Sequence, residues 1–186
     1  MPVLGAVLAG GRSTRFGSDK ALAVLDGKPL IEHAIAALRA HCETVVICGR
    51  SWQGFETLED RPAGGCGPLA GLNAALALAR ERQFDSVLSV PIDTHPLSGA
   101  LSRIRHLGCA VSETQWTIGI WPSDLGQVLD RHLADGRRSL RSWIDVAQPT
   151  LVPDGDLELR NFNLASDLLD RMPVTDDGSM KIARSL

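Results

Sequence analysis

The chain has 186 residues, the length of one ordinary domain, so we expect a single domain over residues 1–186. Charged residues make up 22% of the sequence and hydrophobic residues 44%, which is typical of a globular protein and predicts no disordered segment. The 19 basic and 22 acidic residues give a formal net charge of -3, which excludes a general attraction to nucleic acid or to anionic membranes, so any phosphate site must be local.

The pattern of the first residues is not the one expected of a sorting signal. The run Met1-Pro-Val-Leu-Gly-Ala-Val-Leu8 lacks basic residues and leads directly into glycines, which predicts neither a secretory signal nor a transmembrane span. The cysteines are far apart and form no C-x-x-C pair, so we expect unpaired thiols at Cys42, Cys48, Cys66 and Cys109. Together these features predict a cytoplasmic location.

The first half of the chain alternates predicted strands and helices. In chain order these are a strand at 3–8, a helix at 29–41, a strand at 44–48, a helix from Pro68 to about Arg80 and a strand at 86–90. The strands are short apolar or β-branched runs, and both helices open at a proline followed by apolar residues with helical spacing. Because parallel strands need crossover connections that are usually helical, this order predicts an α/β domain with a mostly parallel sheet.

The second half of the chain is less regular. We predict strands at 109–112 and 116–121 and helices at 124–134, 139–146 and 164–169. No repeat, low-complexity tract or long linker separates these segments from the first half, so they are expected to belong to the same domain.

The loop after the first predicted strand combines glycines with positive charge. Gly10 and Gly11 lack a Cβ, which lets backbone N–H groups approach phosphate oxygens closely. Arg12, Arg15 and Lys20 place three cations within nine residues. A solvent-facing glycine turn is the alternative, but clustered positive charge beside flexible backbone repels itself unless an anion neutralises it. The loop therefore predicts a phosphate site.

Two familiar phosphate-binding patterns do not match this loop. The Walker pattern fails because Gly17 is followed by Ser-Asp-Lys, and the dinucleotide-binding pattern fails because the loop contains no G-x-G. These mismatches argue against a P-loop NTPase and against a dinucleotide-binding oxidoreductase.

Asp93 follows the third predicted strand, at the edge of the sheet where ligands of open α/β folds bind. Mg2+ prefers one or two carboxylates with phosphate oxygens and water, so one aspartate beside a triphosphate is sufficient to hold it. The alternative is a rigid turn in which Asp93 bonds its own backbone. Gly67-Pro-Leu-Ala-Gly71, which opens the second helix, is a further candidate for anion binding, with plain helix capping as its alternative.

The loop resembles the signature of the molybdenum cofactor guanylyltransferase family, which reads L-A-G-G-x-x-x-R-F-G-x-D-K. Its Asp19-Lys20 ending is discriminating, because sugar-phosphate nucleotidyltransferases usually carry Pro-Lys there. The similarity continues in order through the segments at 27–30, 59–60, 67–71, 91–96, 135–138 and 161–163. It implies a three-layer α/β sandwich with a mostly parallel sheet, Rossmann-like and similar to nucleotide-diphospho-sugar transferases.

The resemblance also implies an activity and a set of site residues. Members transfer GMP from GTP to the molybdopterin (molybdenum) cofactor with Mg2+, and proteins of cofactor synthesis or target molybdoenzymes are the implied protein partners. Catalytic roles fall on Arg15, Lys20 and Asp93, with Asp93 as the metal ligand. Nucleotide contacts fall on Leu8, Ala9, Gly10, Gly11, Lys20, Cys48, Asp60 and Asp93. Contacts to the pterin-phosphate substrate fall on Arg137, Arg138 and Asn163.

Several of these positions have plainer alternatives. Arg137 and Arg138 also suit surface salt bridges, Asp60 suits a solvated loop, and Asn163 suits a helix cap. The chain departs from the family at Cys48, where an asparagine is typical, at Thr117-Ile118 after Trp116, where His-Pro is commoner, and after Asn163, where Thr-Pro is usual. A cytidylyltransferase, another nucleotidyltransferase acting on a small phosphate, and a non-catalytic nucleotide-binding module therefore remain as alternatives.

Overall fold

The structure is a computed structural model that describes residues 2–10, 20–64 and 67–162. In chain order the described strands are β1 (Val3–Leu8), β2 (Val24–Leu25), β3 (Lys28–Pro29), β4 (Thr44–Cys48), β5 (Glu56–Leu58), β6 (Ser86–Pro91), β7 (Thr94–His95), β8 (Ala110–Ser112), β9 (Gly119–Pro122), β10 (Thr150–Val152) and β11 (Arg160–Asn161). The described helices are α1 (Leu30–Arg39), α2 (Pro68–Glu81), α3 (Ser98–Ile104), α4 (Leu125–Ala134) and α5 (Leu140–Ala147). The predicted helix at 164–169 lies outside the described residues.

Seven strands form the central sheet, in the order β10-β8-β9-β6-β1-β4-β5. Strand β9 runs antiparallel to both of its neighbours, and the other pairings in this sheet are parallel. Strand β1 is buried at five of its six positions, because helices cover both faces of the sheet. The mostly parallel sheet predicted from the alternation of elements is confirmed.

Alternate residues of the strands point into two separate cores. Leu4 and Ala6 of β1 pack with residues of α2, α4 and α5, whereas Val7 packs with residues of α1 and α3. The period of two follows from the pleat of a strand, which sends successive side chains to opposite faces. The result is the predicted three-layer sandwich. Among the described helices, none has both the length and the apolar character needed to cross a membrane.

The predicted elements of the first half are all present, whereas one strand of the second half begins later than expected. Strand β9 starts at Gly119 instead of Trp116, because a turn occupies the preceding residues. In that turn Ile118 N donates to Gln115 O at 2.8 Å, and Trp116 Nε1 donates to Glu113 O at 3.1 Å. Strand β5, helix α3 and strand β10 were not predicted, since each is short.

The register of the sheet aligns the ends of its central strands. Leu8, the last residue of β1, lies opposite Cys48 at the end of β4 and opposite Pro91 at the end of β6. The segments that follow β1, β4 and β6 therefore leave the sheet at one edge. In open α/β sheets this carboxyl edge is where ligands bind.

Candidate active site

The backbone at the carboxyl edge is closely packed around two glycines. Gly49 follows β4 with a φ of +85°, and a Cβ placed on it would lie 2.5 Å from the Cα of Gly10. A Cβ on Gly10 would in turn lie 3.4 Å from Oδ1 of Asp60. Gly10 and Asp60, which we predicted as site residues, are thus neighbours. Gly49 was missed, although a glycine directly after a predicted strand was the available signal.

Helix α2 approaches the same edge through Gly71. A Cβ on Gly71 would lie 3.0 Å from the Cβ of Cys48 and 3.4 Å from Cδ2 of Leu8. The absence of a side chain at this position therefore lets the first turns of the helix pack directly on the ends of β1 and β4. Helix-to-strand packing therefore explains why a glycine stands at position 71.

Cys48 is placed at the edge of the site with its side chain buried. The residue is 1% exposed, and burial together with the nearby charge of Asp60 raises the pKa of its thiol to about 12. Its carbonyl oxygen accepts a hydrogen bond from Ala9 N at 3.0 Å. In this arrangement position 48 contributes to the site by supporting Ala9 and Gly71, and its thiol faces the protein interior.

Asp60 lies two residues beyond β5 and is half-buried. Burial raises the pKa of its carboxyl group above the usual range of aspartate. A cavity of about 420 Å³ opens beside it and is lined by Gly49, Thr57, Glu59 and Ala63, among others. The carboxylate is therefore positioned between the close-packed glycines and an open cavity.

Lys20 and Asp93 form an ion pair across the carboxyl edge. The distance from Lys20 Nζ to Asp93 Oδ2 is 2.9 Å, and the two side chains are 12% and 28% exposed. Lys20 opens a single turn of 3-10 helix after the glycine-rich loop, while Asp93 follows β6. The structure thus brings together two of the three residues for which we predicted catalytic roles. The third, Arg15, lies outside the described residues, as do Gly11 and Asn163.

Asn161 forms hydrogen bonds with the backbone and the side chain of Asp93 and with the side chain of Thr94. With its amide nitrogen facing Asp93, Asn161 donates to Asp93 Oδ1 and Asp93 O at 3.3 Å and to Thr94 Oγ1 at 2.8 Å. Its oxygen then accepts from Gln115 Nε2 at 3.1 Å, an orientation that gives each amide atom a suitable partner. Phe162 N donates to Asp93 O at 2.8 Å. Our prediction singled out Asn163 in this motif, and the structure places Asn161 next to the aspartate.

A buried carboxylate supports the segment that carries Gln115. Asp154 is 3% exposed and accepts hydrogen bonds from the Ser112 hydroxyl, from Thr114 Oγ1 at 3.0 Å and from Thr114 N at 3.3 Å. Since buried carboxylates require such partners, these bonds fix the path of the chain after β8. Asp154 was not recognised from the sequence, because nothing local distinguishes it from a loop aspartate.

The arginines predicted to contact a second substrate lie between α4 and α5. Arg137 and Arg138 are exposed, and Ser139 then caps α5 by accepting a hydrogen bond from Ser142 N. The guanidinium of Arg141 lies 5.8 Å from the ring centre of Trp116, the neighbour of Gln115. Helix α5 therefore packs through Arg141 on the ring of Trp116, in the turn that also carries Gln115.

The described residues contain no cluster of three or more His, Cys, Asp or Glu side chains that could hold a metal ion. Of the carboxylates that the structure describes, Asp93 is the one predicted to hold a metal at this edge, and oxygen atoms of a bound ligand would supply further contacts. Mg2+ commonly binds in this way, through one or two carboxylates with phosphate oxygens and water.

Comparison with known proteins identifies relatives along most of the chain. The profile of the family described as "MobA-like NTP transferase domain" matches residues 5–150. A protein of Pseudomonas putida named "Molybdenum cofactor guanylyltransferase" is 32% identical over 182 residues, which cover 88% of this chain and 94% of its own. A protein of the same name from Rhizobium leguminosarum bv. trifolii is 31% identical over 164 residues, covering 80% and 78%.

Solved structures share the fold at lower sequence identity. Molybdopterin-guanine dinucleotide biosynthesis protein A from Archaeoglobus fulgidus superposes with a TM-score of 0.71 at 20% identity, over 90% of this chain and 95% of its own. The 2-C-methyl-D-erythritol 4-phosphate cytidylyltransferase from Thermus thermophilus superposes with a TM-score of 0.66 at 17% identity, over 91% and 95%. These likenesses establish the nucleotide-diphospho-sugar-transferase type of fold.

Proposed function

The chain belongs to the family of MobA-like NTP transferase domains, and from this membership we propose that it transfers GMP from GTP to the molybdopterin cofactor, releasing pyrophosphate. The observation that supports the proposal is the Lys20–Asp93 ion pair, in which an ammonium group lies 2.9 Å from a carboxylate at the carboxyl edge. Gly10 and Asp60 lie beside one another at the same edge. These residues combine the phosphate, metal and nucleotide contacts that nucleotidyl transfer requires.

The residues present suit a divalent cation shared with the substrate. Asp93 offers one carboxylate that is 28% exposed, and Mg2+ usually takes its other ligands from phosphate and water. When bound, the ion neutralises charge on the phosphate oxygens. Asp93 is thus the residue that we propose to hold Mg2+.

Lys20 supplies a second, fixed positive charge. Its side chain is only 12% exposed, so the ammonium group has few alternative positions and is oriented before the nucleotide arrives. We propose that Lys20 and the backbone N–H groups around Gly10 bind the triphosphate, with Arg15 and Gly11 of the same loop. The terminal phosphate of molybdopterin then attacks the α-phosphorus in line, and pyrophosphate leaves.

This reaction requires no general base. The attacking phosphate is already anionic near neutral pH, so the residues contribute positioning and charge neutralisation instead of proton transfer. Arg137, Arg138 and Asn163 are proposed to bind the pterin-phosphate substrate, and Arg141 extends this positive surface toward Trp116. A cytoplasmic location is part of the same proposal, supported by the free thiols of Cys42, Cys48 and Cys109.

The test is direct assay of the transfer. The protein is incubated with molybdopterin, Mg2+ and GTP, CTP or ATP labelled at the α-phosphate, and dinucleotide and pyrophosphate are measured. We expect a labelled guanine dinucleotide from GTP. A product from CTP alone would make the chain a cytidylyltransferase, and the absence of transfer from every nucleotide would identify a nucleotide-binding module instead.

Asp60→Asn is expected to weaken nucleotide binding while stabilising the fold. The carboxylate accepts hydrogen bonds better than the amide, so we expect the Kd for GTP to rise about tenfold. Because burial raises the pKa of Asp60 in the folded protein, its ionised form costs folding free energy above that pKa. The variant should therefore be more stable than wild type at pH 7, measured by urea unfolding.

The pH dependence of this stability difference provides a second test. Below about pH 3 the carboxyl group is protonated in both the folded and the unfolded chain, so the stabilisation of the Asp60→Asn variant should disappear there. A variant that is less stable than wild type at pH 7 and binds GTP equally well would contradict the proposed role of Asp60.

A further inference from the structure

The residue after Asp60 is attached to helix α4 by its side chain. Arg61 Nε donates to Asp130 Oδ1 at 3.1 Å, and Arg61 Nη2 donates to Asp130 Oδ2 at 3.0 Å, so the guanidinium and the carboxylate pair through two parallel hydrogen bonds. Such pairs restrict orientation as well as distance. The segment that carries Asp60 is therefore held in a defined position relative to α4.

The same residue is attached to helix α2 by its backbone. Asn73 is 1% exposed, and its Nδ2 donates to Asp130 Oδ1 at 2.7 Å and to Arg61 O at 3.1 Å. Arg61 N donates to Ala70 O at 3.1 Å. The backbone N–H, the backbone carbonyl and the side chain of Arg61 thus all have partners on α2 or α4.

Stability alone is a weak explanation for this network. The side chains of Arg61 and Asp130 are 55% and 36% exposed, and exposed ion pairs of this kind usually contribute at most about 1 kcal/mol. The buried amide of Asn73 joins the pair to the backbone, and linked hydrogen bonds of this type restrict conformation. The main effect of the network is therefore to fix the position of the neighbouring segment, which carries Asp60.

That adjoining chain forms one wall of the candidate nucleotide site. Asp60 lies against Gly10 and Gly49. The residues before Arg61 in the sequence (Glu59 and Asp60) and those shortly after it (Ala63 and Gly64) line the 420 Å³ cavity. A shift of this segment would move the Asp60 carboxylate away from the phosphate-binding loop.

We propose that Arg61, Asn73 and Asp130 form a clamp that positions Asp60 to accept hydrogen bonds from N–H or O–H groups of the bound nucleotide. The three are positioning residues, acting through Asp60 on nucleotide affinity and not on the chemical step. This inference rests on the proposed nucleotidyl transfer and adds residues from two helices that lie outside the loop and metal sites.

The test replaces Asp130 with asparagine, which removes the charge opposite Arg61 while keeping the size of the side chain. We expect the KM for GTP to rise about fivefold to tenfold and kcat to stay within about twofold of wild type. Asp130→Glu, which restores the carboxylate, should recover part of the affinity.

The matched control is Asp156→Asn, which breaks another exposed arginine–carboxylate pair joined by two hydrogen bonds. Asp156 accepts hydrogen bonds of 2.7 Å from Arg103 Nη1 and 2.5 Å from Arg103 Nη2. Arg103 belongs to α3, which packs on the opposite face of the sheet from α2 and α4. We expect its KM and kcat to equal those of wild type, with a change in thermal midpoint similar to that of Asp130→Asn.

The outcomes separate the clamp from the underlying function. If wild type transfers GMP and Asp130→Asn has an unchanged KM, or loses kcat and thermal stability without a change in KM, the clamp is wrong and the function stands. If wild type transfers no nucleotide, the proposed function fails and the clamp fails with it.

Discussion

Asp93→Asn is expected to lower the rate of pyrophosphate release by about 100- to 1000-fold, the usual cost of removing one preorganised electrostatic group. Asparagine has nearly the same shape, so the hydrogen bonds from Asn161 and Phe162 to the backbone oxygen of Asp93 are expected to persist. The variant loses the negative charge that faces Lys20 at 2.9 Å and that we propose to hold Mg2+. The measurement is steady-state release of pyrophosphate at saturating GTP.

The control for Asp93→Asn is Asp85→Asn. Asp85 is exposed and directly precedes β6, so it lies at the opposite end of the strand that carries Asp93 at its carboxyl edge. The same chemical change there should leave the rate within about twofold of wild type. If the Asp93 variant is folded and retains more than about a tenth of the wild-type rate, the assignment of Asp93 as the metal ligand is wrong.

Gly49→Ala is expected to destabilise the fold by about 3 kcal/mol or more and to abolish nucleotide binding. Two costs add at this position. The φ of +85° disfavours any residue with a Cβ, and that Cβ would lie 2.5 Å from Gly10 Cα and 2.8 Å from Gly10 N. Because both neighbours are backbone atoms of Gly10, the clash can be relieved only by moving the backbone at Gly10, where the glycine-rich loop begins.

Gly54→Ala separates the two costs. Gly54 has nearly the same backbone conformation, with a φ of +82°, but a Cβ there meets no atom within 4 Å. We expect Gly54→Ala to cost about 1 kcal/mol in urea unfolding and to leave GTP affinity unchanged. Equal losses of stability in the two variants would show that the approach of Gly49 to Gly10 contributes nothing.

Regular elements were predictable wherever their signal is local. The apolar run of β1, the β-branched run of β4 and the prolines that open α1 and α2 each lie within the element that they define. Strand β5 gave a weaker signal, because it is a three-residue strand at the edge of the sheet with little buried surface. Strand β9 was placed too early, because the turn before it contains Trp116, Thr117 and Ile118, which are residue types favoured in strands.

The candidate site was predictable in part. The glycines and cations of the loop, and an aspartate directly after the third strand of the first half, indicated phosphate and metal binding before any fold was known. The roles of all the predicted site residues remain predictions, and Gly11, Arg15 and Asn163 also lie outside the described residues. Gly49 and Asn161 were not recognised as site residues. Gly49 directly follows the predicted strand at 44–48, and Asn161 belongs to the segment at 161–163 that resembles the family.

The sequence by itself determined the order of the longer strands and helices, the glycine-rich loop after β1 and the position of Asp93 beyond β6, because hydrophobic period, proline and glycine act within a few residues. Only the tertiary structure decided which groups meet. Lys20 and Asp93 are 73 positions apart, and Arg61 and Asp130 are 69 apart. Their contacts depend on strand register and helix packing, which combine the choices of many distant residues and leave no local pattern.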